Sequence, residues 1–308
     1  MVRGILVSVL LLFSINATAL VKDSWVFYQP QLRDVSVTKA QWQVLLSELK
    51  QSGAKGIVLQ WTAYGERSDL SIKQDEQLEQ VFKLADKMQL KVIIGLYSDP
   101  DFFSRIKQPT ASLKYYLHKQ KVLSLKQVDK WLEYVNSTAF SGWYLTEEID
   151  DYHWQDAGKK NLLMQHLTSM KEAILTLTPK QPIYISAYIG GHQSALNVRS
   201  LFSAVSQQGQ LKVLLQDGSG TQALTAEQRD YYFSSLLSCE NDSSPISGTV
   251  FEYFRQQQNV DVFNALPPSK AQWQQQLKSM GGYCNGDKFI FSLRYLPYAQ
   301  GILASKSN

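Results

Sequence analysis

The strongest constraint on this chain is an alternation that begins at Ser24 and runs almost to the C-terminus. A short apolar run, a polar turn and an amphipathic stretch follow one another repeatedly. Eight runs read as strands: Ser24–Gln29, Gly56–Trp61, Lys91–Tyr97, Gly142–Glu148, Pro182–Tyr188, Leu211–Asp217, Gly248–Phe254 and Lys288–Tyr295. Each is rich in Val, Ile, Phe, Tyr or Leu. Between them the apolar spacing becomes helical. Thr38–Gln51 places Trp42, Leu45, Leu46 and Leu49 on one face, and Asp75–Met88 does so with Leu78, Val81, Phe82 and Ala85. Further helices are predicted over Leu125–Asn136, Asn161–Thr176, Ala195–Gln207, Thr225–Ser238 and Lys270–Met280. Strand–helix alternation implies parallel strands joined by right-handed crossovers. Eight strands with seven helices predict an α/β fold of the (β/α)8 TIM-barrel type, its eighth helix absent or reduced. An open doubly wound sheet is the competing arrangement. Asp99–Lys121 reads as a long βα loop that forms a lid or one wall of a cleft.

The first 19 residues read as a signal peptide, with Arg3 as the charged start, Gly4 to Ile15 as the apolar stretch and Ala17-Thr18-Ala19 as the cleavage site. The expectation is export to the periplasm or medium, with residues 20–308 as one barrel domain and no stable membrane insertion after cleavage. An uncleaved anchor is the rival reading, and the apolar stretch is short for a span of ~20 residues. Cys239 and Cys284 lie in the exported part, so a disulfide is expected, with two buried thiols as the alternative. The net charge is only +4 and no basic run occurs, which argues against a nucleic-acid partner. Aromatics are plentiful (7 Trp, 16 Tyr, 13 Phe), as suits either a packed barrel or a surface for the apolar faces of sugars.

In such a barrel the working groups sit at the C-terminal ends of the strands. There the chain carries Gln29, Gln60 and Trp61, Tyr97, Glu147 with Glu148 and Asp150, Tyr188, Gln216 and Asp217, Glu252, and Arg294. Alternation assigns directions. Trp143, Leu145 and Glu147 share the face toward the helices, so Glu148 points into the mouth; Glu147 replaces it if a bulge shifts the phase. Glu252, set among Val, Phe and Tyr, needs a partner or a role. Glycoside hydrolysis needs two facing carboxyl groups, one protonated and one ionised, and Glu148 with Glu252 can supply them. The competing reading makes them structural ion-pair partners, for instance of Arg294. In the catalytic reading Gln29, Gln60, Tyr188, Gln216, Asp217 and Arg294 bind sugar hydroxyls, with Glu147 and Asp150 beside them. Trp61, Tyr97 and Trp154 offer stacking faces. The partner is then an oligosaccharide or polysaccharide, and no cofactor or metal is expected.

Gly142-Trp143-Tyr144-Leu145-Thr146-Glu147-Glu148-Ile149-Asp150 and Gln216-Asp217-Gly218-Ser219-Gly220 resemble a family of bacterial barrels of unknown function regarded as glycosidase-like. The strand placement of the two Glu also resembles the retaining glycosidase clan with TIM barrels. That resemblance implies Glu148 as acid/base and Glu252 as nucleophile. The clan usually has Asn directly before the strand-four Glu, where this chain has Glu147. The retaining mechanism implies carboxyl groups ~5–5.5 Å apart. It also requires a raised Glu148, crowded by Glu147, Asp150 and Asp151, and a Glu252 kept ionised by Arg294 or a Tyr.

Weaker signals remain. Gly218–Ala223 fits GxGxxA, but follows the sixth strand and lacks the acidic residue a dinucleotide site needs. His118, His153, His166 and His192 have no metal-ligand spacing, and His153 borders the expected site. Two other functions stay open: a non-catalytic carbohydrate-binding barrel of a polysaccharide secretion or attachment system, and an enzyme using Asp217 or Asp150 with a divalent cation.

Overall fold

The computed structural model describes residues 22–66, 69–237, 244–257, 265–280 and 286–303. The expected signal peptide and both cysteines lie outside these residues. Eight parallel strands close into a barrel in chain order: β1 Trp25–Tyr28, β2 Gly56–Leu59, β3 Lys91–Gly95, β4 Phe140–Asp150, β5 Ile183–Tyr188, β6 Lys212–Gln216, β7 Ile246–Glu252 and β8 Asp287–Phe291. β8 returns to β1 through Trp25 opposite Phe289 and Phe27 opposite Phe291. The barrel excludes the open sheet.

Seven long helices cover the outside: α1 Lys39–Gln51, α2 Asp69–Lys87, α3 Thr110–Lys130, α4 Ala157–Leu177, α5 Ala195–Ser203, α6 Ala226–Leu236 and α7 Lys270–Met280. Thr38 and Gln41 form a reciprocal cap at the start of α1, and Thr225 with Gln228 repeats it at α6. After β8 the described chain has only single 3-10 turns, Leu293–Tyr295 and Pro297–Ala299, where a full barrel has an eighth helix. No helix among the described residues is long and apolar enough to cross a membrane.

Two apolar layers explain why the strands read so clearly. The barrel interior is filled by Trp25, Phe27, Val58, Ile93, Tyr144, Tyr184, Leu214, Val250 and Phe289. The outward faces pack against the helices in a larger cluster that includes Trp42, Trp131 and Trp143. Strands buried on both faces have to be apolar throughout.

The segment 99–121 departs from the expected loop. It holds a short helix, Phe102–Arg105, and the first half of α3, which ends at Lys130 instead of spanning Leu125–Asn136. The face α3 buries includes Gln120, Ser124 and Gln127 alongside Leu113, Tyr116, Leu117 and Val128. Gln120 donates to Asp99 at 3.1 Å, and Gln127 accepts from Thr62 at 3.4 Å. The helical period is intact, but polar members interrupt its hydrophobic reading.

Candidate active site

A cavity of about 680 Å³ opens at the C-terminal ends of the strands. Gln29, Gln60, Glu148, Asp150, Tyr188, Gln216 and Glu252 all line it. These residues are far apart in sequence, and barrel closure brings them together.

Glu148 owes its direction to the pairing of β4 with β5. Leu145 lies opposite Ile185, and the next paired residue is Glu148 opposite Ser186. Two residues are therefore bulged out, and an even number preserves the inward phase set by Tyr144. Gln216 Nε2 donates to Glu148 Oε2 at 2.5 Å. Burial pushes the Glu148 carboxyl up to about 7; the Gln216 amide opposes the rise and the Asp150 charge adds slightly to it. Crowding by neighbouring carboxylates is thus the lesser cause.

Glu147 is a correction. It turns to the helix side and meets His166 Nε2 of α4 at 3.1 Å, with both residues buried. It does not line the cavity. A carboxylate on the outward face of a strand has to find a partner among the helices.

Glu252 ends β7 and is buried. Its Oε2 accepts from the backbone N–H of Gly220 at 2.8 Å and of Thr221 at 3.1 Å. The GxGxxA loop therefore cradles a protein carboxylate. Gly218 has φ +62°, and a Cβ on Gly220 would meet the Phe254 carbonyl at 2.8 Å and its ring at 2.7 Å. Glycine at 220 allows the loop to come close enough for its amides to reach Glu252.

Asp217 lies behind Glu252, outside the main cavity. Its Oδ1 accepts from Glu252 N and Ser219 N, both at 3.1 Å, and from Ser219 Oγ at 3.0 Å; Oδ2 accepts from Gln276 Nε2 of α7 at 3.1 Å. These bonds engage both oxygens and leave it a supporting part in place of the expected sugar contact. Burial raises both carboxyls. Glu252 is pushed up to about 8 by desolvation first and the Asp217 charge second, while its two amide donors and the field of Glu148 act more weakly and in opposite directions. In place of the expected Arg294 or Tyr, the donors to Glu252 are the backbone amides of Gly220 and Thr221, and burial raises it where the expectation keeps it ionised.

Arg294 does not provide the expected help, and does not line the cavity. β8 stops at Phe291, and the following turn carries the guanidinium to Asp34, at 2.5 and 3.1 Å. It also donates to the carbonyls of Gln29 and Leu303.

The expected stacking residues are likewise spent in structure. Trp61 donates Nε1 to the Pro30 carbonyl at 3.0 Å and stacks on Tyr64. Tyr97 pairs with Ala63 in a two-stranded accessory sheet, and Trp154 is fully buried. None of the three lines the cavity. The aromatic lining comes instead from Phe103, Tyr152, His153 and His192 on one side and Phe27, Phe254, Phe291 and Tyr295 on another. Asp150 reaches the cavity, but its Oδ1 accepts from Tyr152 N and His153 N, and its Oδ2 lies 2.5 Å from His153 Nδ1. Tyr152 and His192 sit in loops and Phe103 in a four-residue helix, none with a periodicity to mark it. The glycine loop after β6 was the one sequence signal that could have pointed to Gly220 and Thr221.

A closed parallel barrel of eight strands with carboxylates, amides and aromatic rings at its C-terminal mouth defines a TIM barrel with a candidate site where such barrels carry theirs. The chain belongs to the family described as Domain of unknown function (DUF4434), which matches residues 24–298. It is 38% identical over 281 residues to the uncharacterized protein YbcH of Escherichia coli (strain K12), covering 90% of this chain and 92% of that one. Among solved structures it is similar to a candidate alpha-L-fucosidase from Bacteroides thetaiotaomicron VPI-5482, with a TM-score of 0.67, 16% identity and coverage of 98% of this chain and 96% of that one. A GH18 chitinase from Pseudoalteromonas aurantia matches at TM-score 0.52 and 11% identity, over 91% of this chain and 97% of that one. An intracellular xylanase from Thermoanaerobacterium saccharolyticum matches at 0.52 and 12%, over 93% and 90%. At these identities the structures share the fold.

Proposed function

We propose that this protein is an exported glycoside hydrolase acting on a bacterial polysaccharide with retention, Glu148 serving as acid/base and Glu252 as nucleophile. The observation that carries this reading is the pair of carboxyls from β4 and β7 lining one cavity, both raised by burial into the neutral range. Carboxyls poised near the working pH suit proton transfer. The recurrence of glycoside hydrolases among the structural relatives supports the same class.

In this reading Glu148 gives its proton to the leaving-group oxygen while Glu252 attacks the anomeric carbon and the glycosidic bond breaks. Glu148, now ionised, takes a proton from water, which cleaves the glycosyl ester and frees Glu252. Glu252 has to be ionised for attack. The Gly220 and Thr221 amides favour that form, and the positive charge developing on the sugar favours it further. Gln29, Gln60, Tyr188 and Gln216, which line the same cavity, would bind the sugar hydroxyls in this reading.

The test is hydrolysis of a panel of 4-nitrophenyl glycosides and oligosaccharides, with Glu148→Gln and Glu252→Gln beside the parent. Each variant should lose on the order of 10³-fold or more in kcat, as removal of an essential catalytic group does, and keep its fold and sugar binding. The first-formed product anomer, read by proton NMR, reports retention. Sugar binding without turnover by the parent favours the non-catalytic carbohydrate-binding barrel. Turnover untouched in both variants removes these two residues from the mechanism.

A further inference from the structure

One side of the cavity is built by the loops after β4 and β5 and by the short helix Phe102–Arg105 after β3, and it presents two aromatic rings to solvent. Tyr152 is 55% exposed and Phe103 46% exposed, and both line the cavity. They flank His153: its ring lies 4.8 Å from that of Tyr152, nearly perpendicular, and 6.1 Å from that of Phe103. His192 packs on the other edge of Tyr152 at 4.7 Å.

Two buried carboxylates hold this wall in place. Asp151 joins the two loops, accepting from Gly190 N on Oδ1 and from His192 N and Gln193 N on Oδ2. Asp150 caps the turn at Tyr152 and His153 through Oδ1 and holds His153 Nδ1 through Oδ2. A carboxylate oxygen only accepts, so Nδ1 carries the hydrogen, and in the tautomer this selects Nε2 is the acceptor. That Nε2 is screened from solvent and has no hydrogen-bond partner among the described residues. A buried polar nitrogen without a partner is costly and calls for an explanation.

We propose that this wall is a subsite for the sugar leaving group: a pyranose lies against Tyr152 and Phe103 and donates a hydroxyl hydrogen to His153 Nε2. The inference rests on the glycosidase reading above and adds the substrate class, an oligosaccharide or polysaccharide with a sugar on the leaving-group side. Position decides the side. Tyr152 and His153 follow Glu148 directly at the end of β4, and the group that protonates the departing oxygen sits beside the leaving group. Glu252 and its amide cradle come instead from the loops after β6 and β7. Exposed rings give a sugar C–H face its apolar contact. The nitrogen fixed by Asp150 selects a donor hydroxyl in one direction, which a plain aryl group lacks.

The experiment compares a 4-nitrophenyl glycoside with disaccharides that carry the same non-reducing sugar, in the parent, His153→Ala and Tyr152→Ala. Each variant should lose about tenfold more kcat/KM on the disaccharide than on the aryl glycoside, the equivalent of one lost hydrogen bond or ring contact. Asp150→Asn should show the same selectivity, because an amide at Oδ2 can reverse the ring tautomer and turn Nε2 into a donor. Equal losses on both substrates, or none on either, overturn the subsite. If the parent cleaves nothing, the glycosidase reading fails separately, and the subsite is read by binding. The imidazole NMR signals of His153, identified by their loss in His153→Gln, are followed while disaccharides are added to about 10 mM, well above a millimolar Kd. A shift produced by a disaccharide and not by its monosaccharides upholds the subsite. No shift, or the same shift with both, overturns it.

Discussion

Two buried groups of charge on this barrel are handled in opposite ways. Beside the turn after β1, Asp34 is paired with Arg294, and it also accepts from Tyr28 Oη and Gln31 N, both at 3.0 Å. At the cavity Glu148 and Glu252, and behind them Asp217, are held by amides and a hydroxyl. An opposing guanidinium cancels a carboxylate's charge, whereas amide dipoles stabilise it only in part. At the cavity burial dominates: Glu252 is driven up to about 8 and Glu148 to about 7. A charge buried against its opposite reads as structure. Carboxyls that burial raises into the neutral range can exchange protons near working pH, which marks a candidate functional site.

The comparison breaks most visibly at the ion pair. Arg294→Leu leaves Asp34 buried without its cation, and removing one partner of a buried pair costs about 3–5 kcal/mol. The melting temperature should fall by roughly 10 °C, at about 2–4 °C per kcal/mol for a chain of this size. The apparent pKa values of the activity should stay where they are. If Arg294→Leu moved those values and left the melting temperature alone, the two clusters would have exchanged roles.

Glu252→Gln should act in the other direction. A carboxyl raised in the fold binds its proton more tightly there than in the unfolded chain, whose value is near 4.5. Its contribution to stability is complete below about 4.5 and is lost as pH rises through about 8. Gln cannot ionise, and its oxygen can still accept from Gly220 and Thr221. The variant should therefore melt a few degrees above the parent at pH 9, with the gap closing toward pH 5. A gap that widens on acidification would mean that Glu252 is stabilised as the carboxylate.

The same two carboxyls frame the pH profile. Activity should rise as Glu252 loses its proton and fall as Glu148 loses its own, a bell whose limbs belong to the coupled cluster and lie near 7 and 8. A maximum in kcat/KM near pH 4–5, the range of unperturbed carboxyls, would contradict the assignment.

What could be read ahead of the structure followed from burial. Barrel strands covered on both faces must be apolar along their length, so all eight stood out. Glu148 was readable because the bulge beside it adds two residues and keeps the phase of Tyr144. Arg294 was not, because Leu293 and Tyr295 continue an apolar pattern through a 3-10 turn and hide the end of β8 at Phe291. Asp217 follows Gln216 directly, yet it turns to Gln276 on α7, 59 residues later, a contact set by closure of the barrel. Phe103, in a four-residue helix, and Tyr152, in a turn, are exposed aromatics, and only their neighbours in the fold give them a surface to form.

The smallest effect sharpens the comparison most. Asp217→Asn removes the like charge behind Glu252 and changes little else. The new side-chain oxygen can keep accepting from Glu252 N and Ser219 N, as Oδ1 does now. Its amide nitrogen would then face Gln276 Nε2, and the Gln276 amide can turn over to present its oxygen instead. Relieved of the Asp217 field, the second-largest cause of its rise, Glu252 should ionise at lower pH. The acid limb of the kcat/KM profile should then move down by about one unit, while the alkaline limb set by Glu148 stays in place. Activity on the acid side of the maximum should rise accordingly. An unmoved acid limb would mean that Asp217 holds no charge next to Glu252 during turnover. An upward shift would show that its hydrogen bond to the Glu252 backbone, and with it the geometry of the nucleophile, matters more than its charge.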